Sequence, residues 1–583
     1  MLALQSAGCT GDYSTCGETK TCAPADASTD ASATDGGHTN GSTGGGAGNG
    51  SGGAEGDSTF ASGGTGADGG GGSGGTAGNG GRGGGVGDKD AQTPDDAGSD
   101  ASGPPPYCDE TQSPTVESCL VADQYAVFVA LGGTGTGTKT SPVGTLAEGV
   151  ANAKSRGLSR VIVCDATYNE TLSLDVASPE LQIFGGFHCP SEDGGASWSY
   201  ESGKRPLIAP KGGVPALRID GTTASVLVQD VDFASADGVV ANPSSIAAII
   251  HGGVSVTLRR VDITAGRGAD GAKGADGAKG IDGKGPGQYQ QGTSVFCAPM
   301  PAQHAGGLPD TTSSCGSQGG QGGTAFRAAG PGGDGASGTP TTNVVSPGKI
   351  NGGVGGPYDG DQGDPGDTGS DGIDGTLPVA GPSAGTFTIS TFAPASGVDG
   401  TDGFAAQGGG GGGAGSAATE ERGCLPAAGG AGGMGGCGGR KGARGSGGGA
   451  SVALLVSSSV MALETVTLAA GGAGKGGDGG HGGDQGLGNG GGYGGDTTSN
   501  FFSGGGNGGD GGNGGHGASG SGGTGGPSYA IVSMSASTIS QQTVTLIHGI
   551  GGAKGAGGTV GTTGLNPAPG GFQGASGDTL ILP

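Results

Sequence analysis

The sequence predicts an all-β solenoid whose loops sprout from one edge, and three observations carry that fold class. The first is a repeated strand, S-x-A-x-[ILV], found as Ser245-Ile-Ala-Ala-Ile249, Ser451-Val-Ala-Leu-Leu455 and Ser528-Tyr-Ala-Ile-Val532. The second is a strand that follows it, V-x-[FIL], at Val261-Asp-Ile263, Val466-Thr-Leu468 and Val544-Thr-Leu546, with a looser copy pairing Ala216-Leu-Arg-Ile219 and Val231-Asp-Phe233. The third is spacing. From the alanine to the later valine the interval barely changes (216 to 231, 247 to 261, 453 to 466, 530 to 544), whereas the gaps between copies vary widely and are filled with glycine. A unit of constant length with elastic insertions at one corner is what stacked repeats need, because each unit buries its apolar face only against its neighbours.

Composition sets the scale. Glycine supplies 152 of 583 residues, hydrophobic residues 31% and aromatics 4%. Apolar content that low cannot fill one compact core, so much of the chain is expected as loop, extended or disordered sequence. The islands Tyr107 to Ile263, Ser451 to Leu468 and Tyr529 to Ile547 are rich in the Val, Ile, Leu and Thr that strands require. They predict a folded part of about 250 to 300 residues. The net charge of −26, from 51 acidic against 25 basic residues, excludes nucleic acid as a partner, since no basic stripe overrides the repulsion of phosphates. It leaves cations and cationic surfaces as partners, or a plain role in solubility.

The elements follow in chain order. Residues 1–9, Met1 to Cys9, resemble the end of a bacterial lipoprotein signal peptide, with small Ala7 and Gly8 before Cys9. The resemblance implies acylation of Cys9. With Thr10 rather than Asp following, it also implies an address at the outer membrane and surface of a Gram-negative cell, anchored through the lipid; free secretion is the alternative. No run of 18 apolar residues suggests a spanning helix.

With Cys9 set aside, ten of the eleven cysteines remain and fall into sequential neighbours: Cys16–Cys22, Cys108–Cys119, Cys164–Cys189, Cys297–Cys315 and Cys424–Cys437. Disulfides closing short loops are expected there, since no CxxC pair and no histidine at ligand spacing suggests zinc. Residues 10–23 form a small Cys loop. Residues 24–106, Ala, Asp, Ser, Thr and Gly without periodicity and ending in Pro104-Pro105-Pro106, read as a disordered tether with a stiff end.

Residues 107–263 hold the first rungs. Thr145-Leu-Ala-Glu148 is a capping box, Leu146, Val150 and Ala153 share one helical face, and Gly157 is a suitable terminator. Around that helix, Tyr125-Ala-Val-Phe-Val129, Thr140-Ser-Pro-Val-Gly-Thr-Leu146, Arg160-Val-Ile-Val-Cys164, Thr167-Tyr-Asn-Glu170 and Leu181-Gln-Ile-Phe184-Gly-Gly-Phe187 resemble the first rungs of pectate-lyase-like proteins. The resemblance implies a right-handed parallel β-helix whose open first rung is lidded by a short N-terminal helix.

Residues 264–447 are a glycine-rich insertion. Gly268 to Gly283 (GAD-GAK-GAD-GAK-GID) and Gly360 to Gly375 (GDQ-GDP-GDT-GSD-GID) resemble collagen triplets. Residues 448–583 return to rungs. Their GG-x runs at 471 to 486 and 504 to 526 read either as extended glycine strands packed side by side, where only glycine allows so close an approach, or as floppy loops. The chain as a whole resembles a glycine-rich, PGRS-like bacterial surface protein.

Chemistry is sparse. Gly132 to Thr140 lacks the glycine a phosphate loop needs before Lys139. Gly505 to Asp510 matches only the start of a calcium nonapeptide, which does not repeat. The one constellation is Asp232 and Asp262, at the same repeat position, with Asp230, Arg259 and Arg260 nearby; the stack fades to Thr467 and Thr545. Resemblance to β-helix polysaccharide lyases would have these carboxylates hold Ca²⁺ against a uronate while Arg takes the α-proton. The alternative is a solvated rung face. His251-Gly-Gly253 hints at a polygalacturonase, without the Asp pairs that chemistry needs. The expected function is non-catalytic, with no catalytic residue, metal or cofactor: a cell-surface lipoprotein displaying its β-helix and glycine-rich loops to other cells, the envelope or matrix polysaccharide. A Ca²⁺-dependent polysaccharide lyase or glycan-binding β-helix, and a collagen-like structural trimer, are the alternatives.

Overall fold

A computed structural model describes residues 108–176, 180–189, 198–221, 225–297, 302–327, 329–358, 360–417, 424–497, 503–559 and 567–583. Cys9, the Cys16 and Cys22 pair and the segment 24–106 lie outside the described residues, which all belong to one compact unit, Asp100–Pro583.

Strand residues dominate the N-terminal part, and the chain passes along the same three lines again and again. After β1 (Ala126–Val129), β2 (Thr134–Thr138) and β3 (Ser141–Val143), a first pass runs through β4 (Arg160–Cys164), β5 (Thr167–Tyr168) and β6 (Leu172–Val176). The second pass is β7 (Glu180–Phe187), β8 (Leu207–Ile208) and β9 (Leu217–Gly221); the third is β10 (Ser225–Gln229), β11 (Asp232–Ser235) and β12 (Ser245–His251). Strand β13 (Ser255–Ala265) then covers two lines at once. Within the insertion lie the short strands β14 (Phe296–Cys297), β15 (Gln303–His304), β16 (Ala325–Phe326), β17 (Thr386–Phe387), β18 (Phe392–Ala393) and β19 (Cys424–Leu425). The passes resume with β20 (Ser451–Ser457), β21 (Val460–Ala469), β22 (Ser528–Met534), β23 (Thr538–Ile547) and β24 (Ser576–Leu582). Like lines stack in parallel, as β6-β9-β12-β20-β22-β24 on one side and β1-β4-β7-β10-β13-β21-β23 on another.

Register follows the repeat. Ser245 pairs with Ser451 and Ser451 with Ser528; Val261 pairs with Val466 and Val466 with Val544. The repeated serine has a physical reason: it is wholly buried at each copy, and the Ser451 and Ser528 hydroxyls donate to the carbonyls of Gly266 and Gly471 at 2.7 and 2.8 Å. Those carbonyls lie where the chain leaves for the glycine-rich excursions, so Ser451 and Ser528 tie the returning strand to the departure of the previous pass, while the Ser245 hydroxyl donates to that of Ser235. Inside the stack, Val127, Val161, Ile183, Val228, Leu258 and Leu463 form a buried column, with Leu172, Leu217, Leu454 and Ile531 opposite.

The helix forms where the capping box and Gly157 predict it. Helix α1 (Leu146–Arg156) opens on the Thr145/Glu148 capping box and ends at left-handed Gly157. It buries Leu146, Gly149, Val150 and Ala153 against the first strands, and Glu170 of the TYNE corner accepts the Leu146 amide at 3.0 Å.

The glycine-rich excursions are ordered, which the expectation of about 250 to 300 folded residues from apolar content did not provide. They form extended segments bonded to neighbours at every third residue, the periodicity of a polyproline II chain. Gly271, Gly274, Gly277 and Gly280 donate to the carbonyls of Lys475, Asp478, His481 and Asp484, while Cys437, Arg440, Ala443 and Ser446 donate back to Ile281, Ala278, Ala275 and Ala272. The collagen-like triplets thus bond to segments of their own chain. At the centre, Gly408–Gly413 and its flanks exchange backbone bonds with six segments: 318–324, 333–339, 351–356, 364–370, 427–436 and 504–512. All three faces of that segment meet backbone. A Cβ on Gly409, Gly410 or Gly411 would lie 1.9, 1.6 or 2.0 Å from the carbonyl oxygens of Gly509, Asn351 and Gln321. Unbroken glycine is therefore required there, and one glycine in three suffices at the rim.

The disulfides correct part of the expected pairing. Cys108–Cys119 and Cys164–Cys189 form as expected, but Cys297–Cys315 and Cys424–Cys437 do not; the bonds are Cys297–Cys424 and Cys315–Cys437. The reason is the bundle itself. It folds 424–437 back beside the earlier excursion, so β14 and β19 pair with Cys297 opposite Cys424.

Candidate functional site

The predicted constellation lies where the first two strand lines meet. At that corner a single residue in each pass adopts left-handed backbone: Asp230, Arg260, Thr465 and Thr543, with φ of 56°, 52°, 56° and 57°. Non-glycine residues rarely occupy this region, and here the stacked register holds them in it. Asp230 therefore stacks with Arg260, two residues ahead of Asp232 and Asp262 in each pass. In the earlier pass the corner falls at Gly185-Gly186, where a Cβ on Gly185 would lie 2.0 Å from the Asp230 carbonyl oxygen.

Asp232 and Asp262 do stack: the Asp262 amide donates to Asp232 Oδ1 at 3.0 Å. Between them sits Arg205, which the sequence reading missed. Its guanidinium is 3.0 Å from Asp232 Oδ1 and 2.6 Å from Asp262 Oδ2, and it also donates to the Arg260 carbonyl. Arg260 grips buried Asp230 with two bonds of 2.7 Å, and the Tyr200 hydroxyl donates to the same carboxylate at 3.3 Å. Arg259 turns away to Glu464, at 2.6 Å. Burial first of all holds the Asp232 carboxyl above its ordinary range, against the opposing pull of the Asp262 amide and Arg205. The Asp230 contact holds the Arg260 guanidinium above its ordinary value, and burial raises the Tyr200 phenol.

Arg205, Asp230, Arg260 and Asp262, together with Ser202, Thr465, Thr467, Thr543 and Thr545, line an open groove of about 370 Å³. Three carboxylates face two guanidinium groups and every carboxylate is paired. An arginine held by carboxylates is a poor base, and a calcium ion on these carboxylates would have to compete with the arginines that already contact them. His251 belongs elsewhere, on β12, where it contacts Asp220 at 2.6 Å. Asn507 and Asp510 of the partial calcium motif accept backbone amides of Gly494 and Gly491. Arg205 and Tyr200 stand outside the repeats, so repeat spacing could not have found them.

No protein-family model, curated protein or solved structure gives a significant match to this chain. The class of protein thus rests on its own geometry: a mainly parallel-stranded all-β protein with one α-helix among the described residues and a hydrogen-bonded glycine bundle.

Proposed function

We propose that the chain is a non-catalytic display protein of the bacterial cell surface. In this reading the stacked passes are turns of a right-handed parallel β-helix, the hand that parallel crossovers almost always take. The glycine bundle is a rigid body that presents the outer positions of its triplets to other cells, the envelope or matrix polysaccharide. The observation that carries the non-catalytic reading is the complete pairing of Asp230, Asp232 and Asp262 with Arg260 and Arg205. Incubation with pectate and Ca²⁺ should give no unsaturated product; product that Asp232→Ala abolishes would make the protein a lyase.

The surface address rests on the likeness of residues 1–9 to a lipoprotein signal, with Cys9 acylated. Fractionation and protease shaving of cells should place the native protein in the outer membrane and release a Cys9→Ser form. Identical behaviour of the two would favour a secreted protein. No helix among the described residues is long and apolar enough to cross a membrane. Glycan binding is the second reading, favoured by the threonine hydroxyls at 465, 467, 543 and 545 that continue the groove beyond its charged end.

A further inference from the structure

The β17–β18 hairpin leaves the glycine bundle and lies across the outer face of the β12-β20-β22-β24 sheet. Over β12 and β20, Phe392 and its neighbour Phe387 pack in one cluster with Ile246, Ile249, Val452 and Leu455. Over β22 and β24 it leaves an open chamber of about 520 Å³. Phe387 and Phe392, with ring centroids 4.8 Å apart, roof it, and Tyr529, Met534, Leu580 and Leu582 form its floor and wall. The volume falls within the range that takes small organic ligands.

Charge narrows the occupant. The protein carries −26, yet no Asp, Glu, Lys, Arg or His side chain among the described residues lines the chamber. An anionic ligand would lose its hydration there with no cationic side chain to meet it, whereas a neutral one is desolvated at little cost. Gln573, Thr386, Ser383 and the Tyr529 phenol supply a few hydrogen-bonding groups beside three aromatic rings. Burial raises the phenol above its ordinary value, which keeps it protonated as a donor.

We propose that this chamber binds an uncharged small molecule of mainly apolar surface, an aromatic or alicyclic ring compound bearing a polar edge. The site is separate from the Asp–Arg groove and does not depend on the display reading. The test is fluorescence titration of the full chain with the neutral probe N-phenyl-1-naphthylamine. The expected result is saturable binding of one probe per chain with blue-shifted emission, and at least tenfold weaker binding of the anionic probe anilinonaphthalene sulfonate. Leu580→Glu, in the wall, and Phe387→Ala, in the roof, should each weaken binding at least tenfold. Ile581→Glu, the next residue on β24 and 78% exposed, should bind as the native chain does. Absence of saturable binding, or equal binding by the native chain and both chamber variants, would overturn the proposal. So would sedimentation of the free chain as a dimer that Leu580→Glu dissociates, since a second copy would then be what covers the chamber.

Discussion

Gly410 is the residue at which the bundle is least forgiving, because a β-carbon there would sit 1.6 Å from the Asn351 carbonyl oxygen. Backbone has no rotamer with which to move aside. Gly410→Ala should therefore cost at least about 1–3 kcal/mol, the ordinary range for overpacking. Gly472 is the control, since the nearest atom to its would-be β-carbon is 3.9 Å away. Gly472→Ala should change stability by no more than about 0.5 kcal/mol. Thermal melts of the two variants check the contrast, and equal shifts would contradict it. The same scale shows what the sequence disclosed. Ser245, Ser451 and Ser528 recur, and their recurrence marked a register that the structure reproduces. Arg205 recurs nowhere and precedes its partner Asp232 by one pass and Asp262 by two, so only folding reveals it.

Lateral aspartate clamps explain why the triplets carry acid. Asp270, Asp276 and Asp282 accept the backbone amides of Lys475, His481 and Leu487, and Asp371, Asp374, Asp399, Asp402 and Asp478 do the same for other neighbours. The His481 amide, then Lys273, holds the Asp276 carboxyl below its ordinary value of 3.8. Backbone amides of Arg444, Lys441 and Ala556 lower Asp399, Asp402 and Asp478 likewise, and for Asp282 the Lys279 contact leads. A carboxyl whose native pKa lies below its unfolded one contributes its full stabilisation above the unfolded value and loses it as pH falls through the native value. The melting temperature should therefore owe these groups no change from pH 7 to about 5 and fall below about pH 4. Asp276→Asn combined with Asp402→Asn should make that fall shallower; an unchanged acid limb would contradict the clamps.

Disulfides act at this scale too. Peptide mapping without reduction should recover Cys297 linked to Cys424 and Cys315 to Cys437. Each closes a loop of more than a hundred residues, so replacing Cys297 and Cys424 together by serine should cost about 2–4 kcal/mol. Recovery of Cys297 with Cys315 would contradict the bundle's path. Chain proximity was a sound guide for Cys108–Cys119, which closes a short loop ahead of β1, and for Cys164–Cys189, which joins the ends of the neighbouring strands β4 and β7. It misled in the insertion, where neighbours are set by period-three bonds between segments far apart in sequence.

For the whole molecule, the lesson concerns what holds a chain with so few apolar residues together. The strand stack has a conventional apolar interior, and its apolar islands, capping helix and repeat spacing were all readable. The glycine excursions have almost no side chains to bury, so a reading based on hydrophobicity counted them as loops. Their cohesion comes from backbone amides satisfied between segments, with glycine allowing the approach. Period-three glycine was visible, but which segment neighbours which was not, because each unit of the pattern is nearly identical to the next. Ordered excursions also matter for the proposed display role, since a rigid bundle presents fixed rows of side chains where floppy loops would present none.

Amide hydrogen exchange of the intact protein, followed across Gly408–Gly413, is the most direct test of that ordering. Buried amides bonded to segments on every side should exchange only through large-scale opening, and remain protected for hours or longer at neutral pH and 25 °C. Exchange of those glycines within the time expected for an unstructured chain would mean that the bundle does not form.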